Sequence, residues 1–265
     1  MSHLQRFLLP SLIGRGWGVG LFFACLALFS ACSSDDDDKP SGYSLESANG
    51  APAWQIDWSG NDARPDWQEP NPSDFENWTV MLIGLEDALK PYASKDDMMA
   101  FFVYDDLRGL AKPAINVSED EADANLYLMK AFGNETGQEV LEVTVKYYSS
   151  RLQQVFSRTD YIRYNVGEVY GVDEPLTPQF TLGSSKYPVV TNLIVTAADL
   201  PAIDVPFAEG DQLAAFVGDE CRGVSAMFND QSATLTVFGR QEHETYTLKY
   251  YHAASRRIYT FPKQF

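Results

Sequence analysis

Two short stretches place opposite charges close enough to form a small charged site. Asp105, Asp106 and Arg108 make one, and Asp219, Glu220 and Arg222 make the other. The same residues also suit a tight turn, because Asp tolerates unusual backbone angles. Their recurrence favours that folding role: the acids shape the turn, and the arginine points outward beside an inward Leu107 or Cys221. The next residue, Gly109 or Gly223, then marks a bulge or a close backbone approach.

Four tryptophans, Trp54, Trp58, Trp67 and Trp78, lie within 25 residues of one another, and the C-terminal half has none. Indole faces stack on sugar rings and bury much area at low entropic cost, so the cluster would suit a ligand-binding platform for glycans. The expectation that outweighs it is an extended strap, stiffened by Pro52, Pro65, Pro70 and Pro72, whose rings pack onto module one (residues 74–183).

Residues 119–125 (EDEADAN) carry several oxygen ligands, and calcium at Asp120 and Asp123 is the metal this chain could take. The loop lacks the glycine and the ligand spacing of an EF-hand, and a solvated acidic loop explains it better. Catalytic signatures are missing. Beyond residue 31 the histidines are His243 and His252, and no His-Glu-x-x-His, Gly-x-Ser-x-Gly, Cys-x-x-Cys or Gly-x-Gly-x-x-Gly occurs. The sequence therefore predicts no catalytic residues and no cofactor. A paired-acid glycoside hydrolase stays open only because carboxylates are abundant.

The elements that must hold these residues come in two copies. Met99 to Leu110 (MAFFVYDDLRGL) returns as Leu213 to Val224 (LAAFVGDECRGV), and each copy follows an acid, Asp97 or Asp211. Leu126 to Gly133 matches Thr234 to Gly239, and Lys146-Tyr147-Tyr148 matches Lys249-Tyr250-Tyr251. Four blocks in one order indicate a tandem duplication of a small domain.

Within each copy the period is two. Leu141, Val143, Val145 and Tyr147 alternate with Glu142, Thr144 and Lys146, as Tyr246, Leu248 and Tyr250 do with Thr245, Thr247 and Lys249; such alternation marks half-buried antiparallel strands. The fold expected is all-β: two tandem antiparallel β-sandwich modules, immunoglobulin-like or jelly-roll-like, at residues 74–183 and 186–265. Residues 32–73 precede them as an acidic, disordered tether (32–53) and a Trp- and Pro-rich lead-in (54–73).

The N-terminus supplies an address. Arg6 and Arg15 precede an apolar stretch that ends in small residues before Cys32, the pattern of a secretory signal, too short for a stable transmembrane helix. Residues 29–32 resemble the lipobox of bacterial lipoproteins, with Phe29 where leucine is usual. Residues 1–31 read as a lipoprotein signal peptide and Cys32 as the acylated anchor, a membrane attachment that two or three acyl chains would make very slow to release. The acidic run Ser34 to Asp38 resembles the export signal that carries lipoproteins of the Bacteroidota to the outer face of the outer membrane.

Losing residues 1–31 removes two of 20 basic residues and none of 37 acidic ones, which takes the net charge from −17 to −19. Such acidity excludes a general affinity for nucleic acid or anionic lipid. Cys25 leaves with the signal and Cys32 is the anchor, so Cys221 stands alone and no intramolecular disulfide forms. Stability must come from apolar cores.

Three blocks carry a wider resemblance: Ala215 to Gly223 (AFVGDECRG), Asp62 to Glu76 (DARPDWQEPNPSDFE) and Val169 to Pro175 (VYGVDEP). They are similar to tandem modules of surface lipoproteins in Bacteroidales, a group with no agreed activity. The resemblance implies location and architecture alone. The function expected is a non-catalytic, outward-facing outer-membrane lipoprotein that displays two β-modules for binding or adhesion to a glycan or surface protein. A structural envelope or fimbria-associated subunit is the alternative.

Overall fold

The computed structural model describes residues 42–114, 124–196, 199–200, 207–225 and 232–261. The signal sequence, Cys32 and the loop carrying Asp120 and Asp123 lie outside them. The described chain is all-β. Its strands are β1 (Ser44–Ser47), β2 (Asn77–Gly84), β3 (Met98–Val103), β4 (Asp106–Ala111), β5 (Leu126–Gly133), β6 (Thr136–Ser149), β7 (Gln154–Asn165), β8 (Val169–Tyr170), β9 (Val189–Thr196), β10 (Gln212–Val217), β11 (Glu220–Ser225), β12 (Ser232–Gly239), β13 (Thr247–His252) and β14 (Arg257–Phe261).

The duplication read from the sequence is a duplication of topology. Module 1 has the strand order β7-β6-β3-β4-β5-β2-β8, and module 2 has β1-β14-β13-β10-β11 beside β12-β9. Strand for strand, β7-β6-β3-β4-β5-β2 corresponds to β14-β13-β10-β11-β12-β9. The first strand, β2, lies beside β5 rather than beside β3, a Greek-key path. The sheet turns over at β4 and β5, which share the single pairing Gly109↔Ala131, so its two halves enclose the core. The predicted alternation places Leu141, Val143 and Tyr147 in core 1 and Tyr246, Leu248 and Tyr250 in core 2.

β3 is buried along its whole length and β10 nearly so. That is why MAFFV and LAAFV read as unbroken apolar runs instead of alternating ones: both faces of these central strands are covered. The outer cover is the lead-in, described below.

One boundary differs from expectation. Residues 44–47, assigned to the polar tether, pair as β1 with β14 in the register Leu45↔Tyr259, and Tyr43 packs its ring 5.5 Å from Tyr259 and 6.3 Å from Phe261. Module 2 is thus assembled from both ends of the described chain. The segment SLES shows no apolar alternation, since all four side chains of this edge strand face solvent. Periodicity could not reveal it.

Candidate ligand-binding surface

The acid that opens each repeat and the tyrosine that closes it meet inside the module. Asp97 is fully buried and its carboxylate accepts four hydrogen bonds: from the Tyr147 hydroxyl (2.7 Å), the Ser150 N–H and hydroxyl (2.7 Å each) and the Ser94 N–H (2.9 Å). In module 2 the Asp211 carboxylate accepts from the Tyr250 hydroxyl (2.5 Å), the Ala253 N–H (2.8 Å) and the Ala208 N–H (3.0 Å). Each acid ties the turn before the central strand to the turn after its neighbour. With every oxygen engaged by the protein, neither is free for a ligand.

The hairpin motif is also built into the framework. Tyr104 and Asp105 form the two-residue turn between β3 and β4, and Gly218 and Asp219 form its counterpart; the first residue of each has positive φ (53° and 59°). Asp105, Asp106 and Asp219 stand in solvent.

The expected direction of the arginine needs correction. A bulge follows the turn, where the register slips between Phe101 and Phe102 and between Ala215 and Phe216. The extra residue is the arginine, and the bulge swings it inward, as bulges re-aim side chains. Arg222 is only 2% exposed; it donates to the Phe238 carbonyl (3.1 Å) and to the Glu244 carboxylate (3.2 and 3.4 Å). Arg108 pairs with Glu135 at 3.1 Å. Both glutamates also accept the N–H of the residue after the β5 or β12 glycine, from Asn134 and Arg240. The motif glycines sit where strands approach closely: a Cβ on Gly109 would lie 2.9 Å from the Lys130 carbonyl, and one on Gly223 would overlap that of Thr236.

The copies diverge at one acid. Asp106 is exposed, with Arg108 no nearer than 3.8 Å, whereas its counterpart Glu220 is the centre of the junction between modules. Glu220 accepts from the Tyr187 hydroxyl (2.7 Å) and from Arg240 (2.8 and 3.0 Å), and pairs with Arg222 at 3.2 Å. Burial alone would raise its pKa; the hydrogen bonds from Tyr187 and Arg240 and the charges of Arg222 and Arg240 outweigh burial and hold it below the usual value. On the lead-in side Lys186 binds Asp57 at 2.9 Å.

The four indoles do not share a face. Trp54 packs edge-on to Phe216 of β10 at 5.8 Å, and Trp67 packs edge-on to Phe102 of β3 at 6.3 Å. Each of those phenylalanines carries a lysine over its ring, Lys249 or Lys146, at 4.6 Å. Between them Trp58 is buried at the junction, 4.9 Å from Phe238, 5.7 Å from Tyr187 and 6.1 Å from Phe156. Trp78 stands half exposed on β2 beneath Lys130 (4.4 Å). The lead-in therefore crosses both modules and lays one indole on each and one between them. It is fastened by Gly60 and Asp62, whose N–H groups donate to the carbonyls of Leu152 and Gln153 (2.7 Å each).

One of these rings borders a groove. Trp67, half-buried, lines a groove of about 620 Å³ between the lead-in and β3–β4. Around it stand Arg64, Asp66, Gln68, Glu69 and Lys112, a mixed fringe of donors and acceptors.

Glu86 has a carboxyl pushed above the usual range by burial. Both its oxygens are taken by the N–H (2.5 Å) and hydroxyl (3.0 Å) of Thr181, which makes it a clamp on residues 180–183. Cys221 is buried against Phe216 and Trp54, and its thiol pKa is raised by that burial. Among the described residues no three His, Cys, Asp or Glu side chains gather to hold an ion.

No protein-family model matches the chain, and no curated protein matches it.

Proposed function

We propose that this chain is a lipid-anchored cell-surface protein that binds a saccharide without chemically altering it, using the groove beside Trp67. The observation that carries this reading is the partly exposed Trp67 indole with charged and amide side chains around its rim. Such a site offers a sugar an apolar face to stack on and directional partners for its hydroxyls. The anchored address rests on the Cys32 junction and the acidic run behind it. The non-catalytic part of the reading is supported by the lack of a catalytic motif in the sequence and by the buried carboxylates Asp97, Asp211, Glu86 and Glu244, which are engaged in structural hydrogen bonds.

The test is a glycan array probed with the whole mature protein. Trp67→Ala and Lys112→Ala should each weaken binding about tenfold or more, while the melting temperature holds for Lys112→Ala and falls by about 2–8 °C for Trp67→Ala, the cost of about 1 kcal/mol for one lost ring contact. Retained binding in Trp67→Ala would overturn the assignment of the groove. Metabolic labelling with palmitate should tag the protein and fail with Cys32→Ser.

A second reading has its own observation. β2 is flanked by β8 in parallel register (Val80↔Val169), but among the described residues no strand pairs with the outer edge of its counterpart β9. That edge, VVTNLIVT, has no charge or proline and exposes Ile194. A long uncharged edge accepts another strand readily, as a structural envelope subunit would require. Concentration-dependent assembly abolished by Asn192→Pro would support the structural role.

A further inference from the structure

Module 1 holds a cavity of about 400 Å³ between β7, the inner faces of β2, β3 and β6, and residues 176–178. We infer that this cavity is a binding site for an uncharged apolar molecule, which buries a hydrocarbon chain or ring among these strands. The site is separate from the groove beside Trp67. Neighbouring residues of β3 point to opposite faces, and Phe101 lines the cavity while Phe102 meets the indole.

Module 2 shows the same place closed. The repeat matches Val145 of β6 to Leu248 of β13, and their cross-strand partners are Arg158 and Phe261. Leu248 and Phe261 are buried and complete core 2. In module 1 the smaller Val145 packs on the core yet stays partly exposed, and Arg158 pairs with Asp160 at 2.9 Å instead of filling the gap. The ring that module 2 carries on β14 stands deeper in module 1, at Phe101 of β3, where module 2 has Ala215. It lines the floor and leaves the mouth open.

Two further apolar side chains that face inward remain in contact with water. Ile162 pairs with buried Leu141 and shares its inward face, yet is 37% exposed. Leu176 bridges to buried Ile83 and is 42% exposed. An apolar side chain aimed at a core stabilises by leaving water, and interiors are otherwise packed without such gaps. Here the two form the lip of an opening whose floor includes Met81, Ile83 and Val143.

The lining identifies the class of ligand. Among the described residues around the cavity, Asp160 is the one charged side chain, and both its oxygens accept from Arg158 (2.9, 3.2 and 3.3 Å). The Thr177 hydroxyl donates to the Pro175 carbonyl (3.2 Å), and the Tyr170 hydroxyl donates to that of Asn165 (3.2 Å). The mouth is therefore polar but balanced, and the floor offers hydrocarbon. Apolar cavities stay dry or take an apolar guest, and this volume lies in the range of small-ligand sites.

The experiment is calorimetry and methyl NMR on the whole mature chain carrying Cys32→Ser, so that neither acyl chains nor detergent compete for the cavity. The probes are n-octanol and naphthalenemethanol, one a chain and the other a ring, with octanoate and octylamine as charged counterparts. A neutral probe should bind one to one, ahead of both charged ones, and shift the methyl signals of Ile83, Val143 and Val145. Val145→Leu with Arg158→Phe installs the pair that closes module 2. It should weaken binding about tenfold or more without lowering the melting temperature. Ile162→Trp, at the exposed lip, should weaken binding to a similar degree. Trp67→Ala should leave it unchanged. Binding of neither neutral probe, preference for a charged one, or indifference to both the double variant and Ile162→Trp would overturn the proposal. Loss through Trp67→Ala alone would place the probe in the groove and overturn this site while sparing the first.

Discussion

Tyr147 donates its hydroxyl to Asp97 at 2.7 Å across 50 residues of chain, and Tyr250 repeats the contact with Asp211 across 39. A carboxylate sealed from water depends on its donors, and removing one leaves part of its desolvation uncompensated. Tyr147→Phe is expected to cost about 1–3 kcal/mol, and Asp97→Asn a similar amount. The two should be strongly non-additive, whereas Tyr147→Phe with Tyr250→Phe should add, since they sit in different modules. Chemical denaturation of single and double variants measures both; additivity of Tyr147→Phe with Asp97→Asn would contradict the pairing.

The same tyrosines set the alkaline limit of stability. Burial is the largest cause, and neighbouring negative charge a further one, of the upward pKa shifts of Tyr127, Tyr147, Tyr187 and Tyr250. A raised pKa means the folded state keeps protons that the unfolded state gives up. Stability from these groups is therefore complete below about pH 10 and falls as pH rises beyond it. Absorbance at the phenolate band should rise in two classes, the buried one coinciding with loss of near-ultraviolet circular dichroism. A single class complete before unfolding would refute this.

At low pH the junction is the expected weak point. The Glu220 carboxyl is held below its ordinary value, so its contribution is present above about pH 4.5 and lost as pH falls through the depressed value. Glu220→Gln should cost about 1–2 kcal/mol at neutral pH and flatten the acid limb of the stability profile. Small-angle scattering from pH 7 to pH 3 should report the modules loosening at higher pH in the variant than in the parent.

Trp58 and Trp67 should separate stability from binding. Trp58→Ala removes a buried indole from three aromatic neighbours and should cost about 3–5 kcal/mol. Trp67→Ala loses one edge-on contact, about 1 kcal/mol, and the proposed sugar platform with it. Thermal melts read beside array binding distinguish them; equal melting losses would mean the lead-in acts as one rigid strap.

The motif glycines should rank by the space around them. A methyl on Gly223 meets the Thr236 carbonyl more closely than one on Gly109 meets Lys130. Gly223→Ala is expected to cost about 2–3 kcal/mol and Gly109→Ala about 1 kcal/mol. Urea midpoints for the two would test that order.

Much of the fold was legible because it is local or repeated. The alternation through Leu141 and Tyr147 is a period of two, the turn at Asp105 and Asp219 is a two-residue event, and the copies expose one another by alignment. The inward arginine was not legible. A bulge shifts which residue faces which way, and it arises from the fit between strands rather than from the composition of either. The destinations of the indoles were hidden for the same reason: an extended strap has no period, so nothing in residues 54–78 says which surface each ring meets.

By itself, then, the sequence determined the all-β class, the duplication and the residues that each copy would use, because strand periodicity and repetition are properties of a line. Tertiary structure alone decided that Ser44–Ser47 closes module 2, that Asp97 belongs to Tyr147, that Glu220 serves the junction while Asp106 stands exposed, and that Trp67 borders a groove. Those are contacts between segments tens of residues apart. They are selected by the burial of whole surfaces, and no local pattern encodes which surfaces will meet.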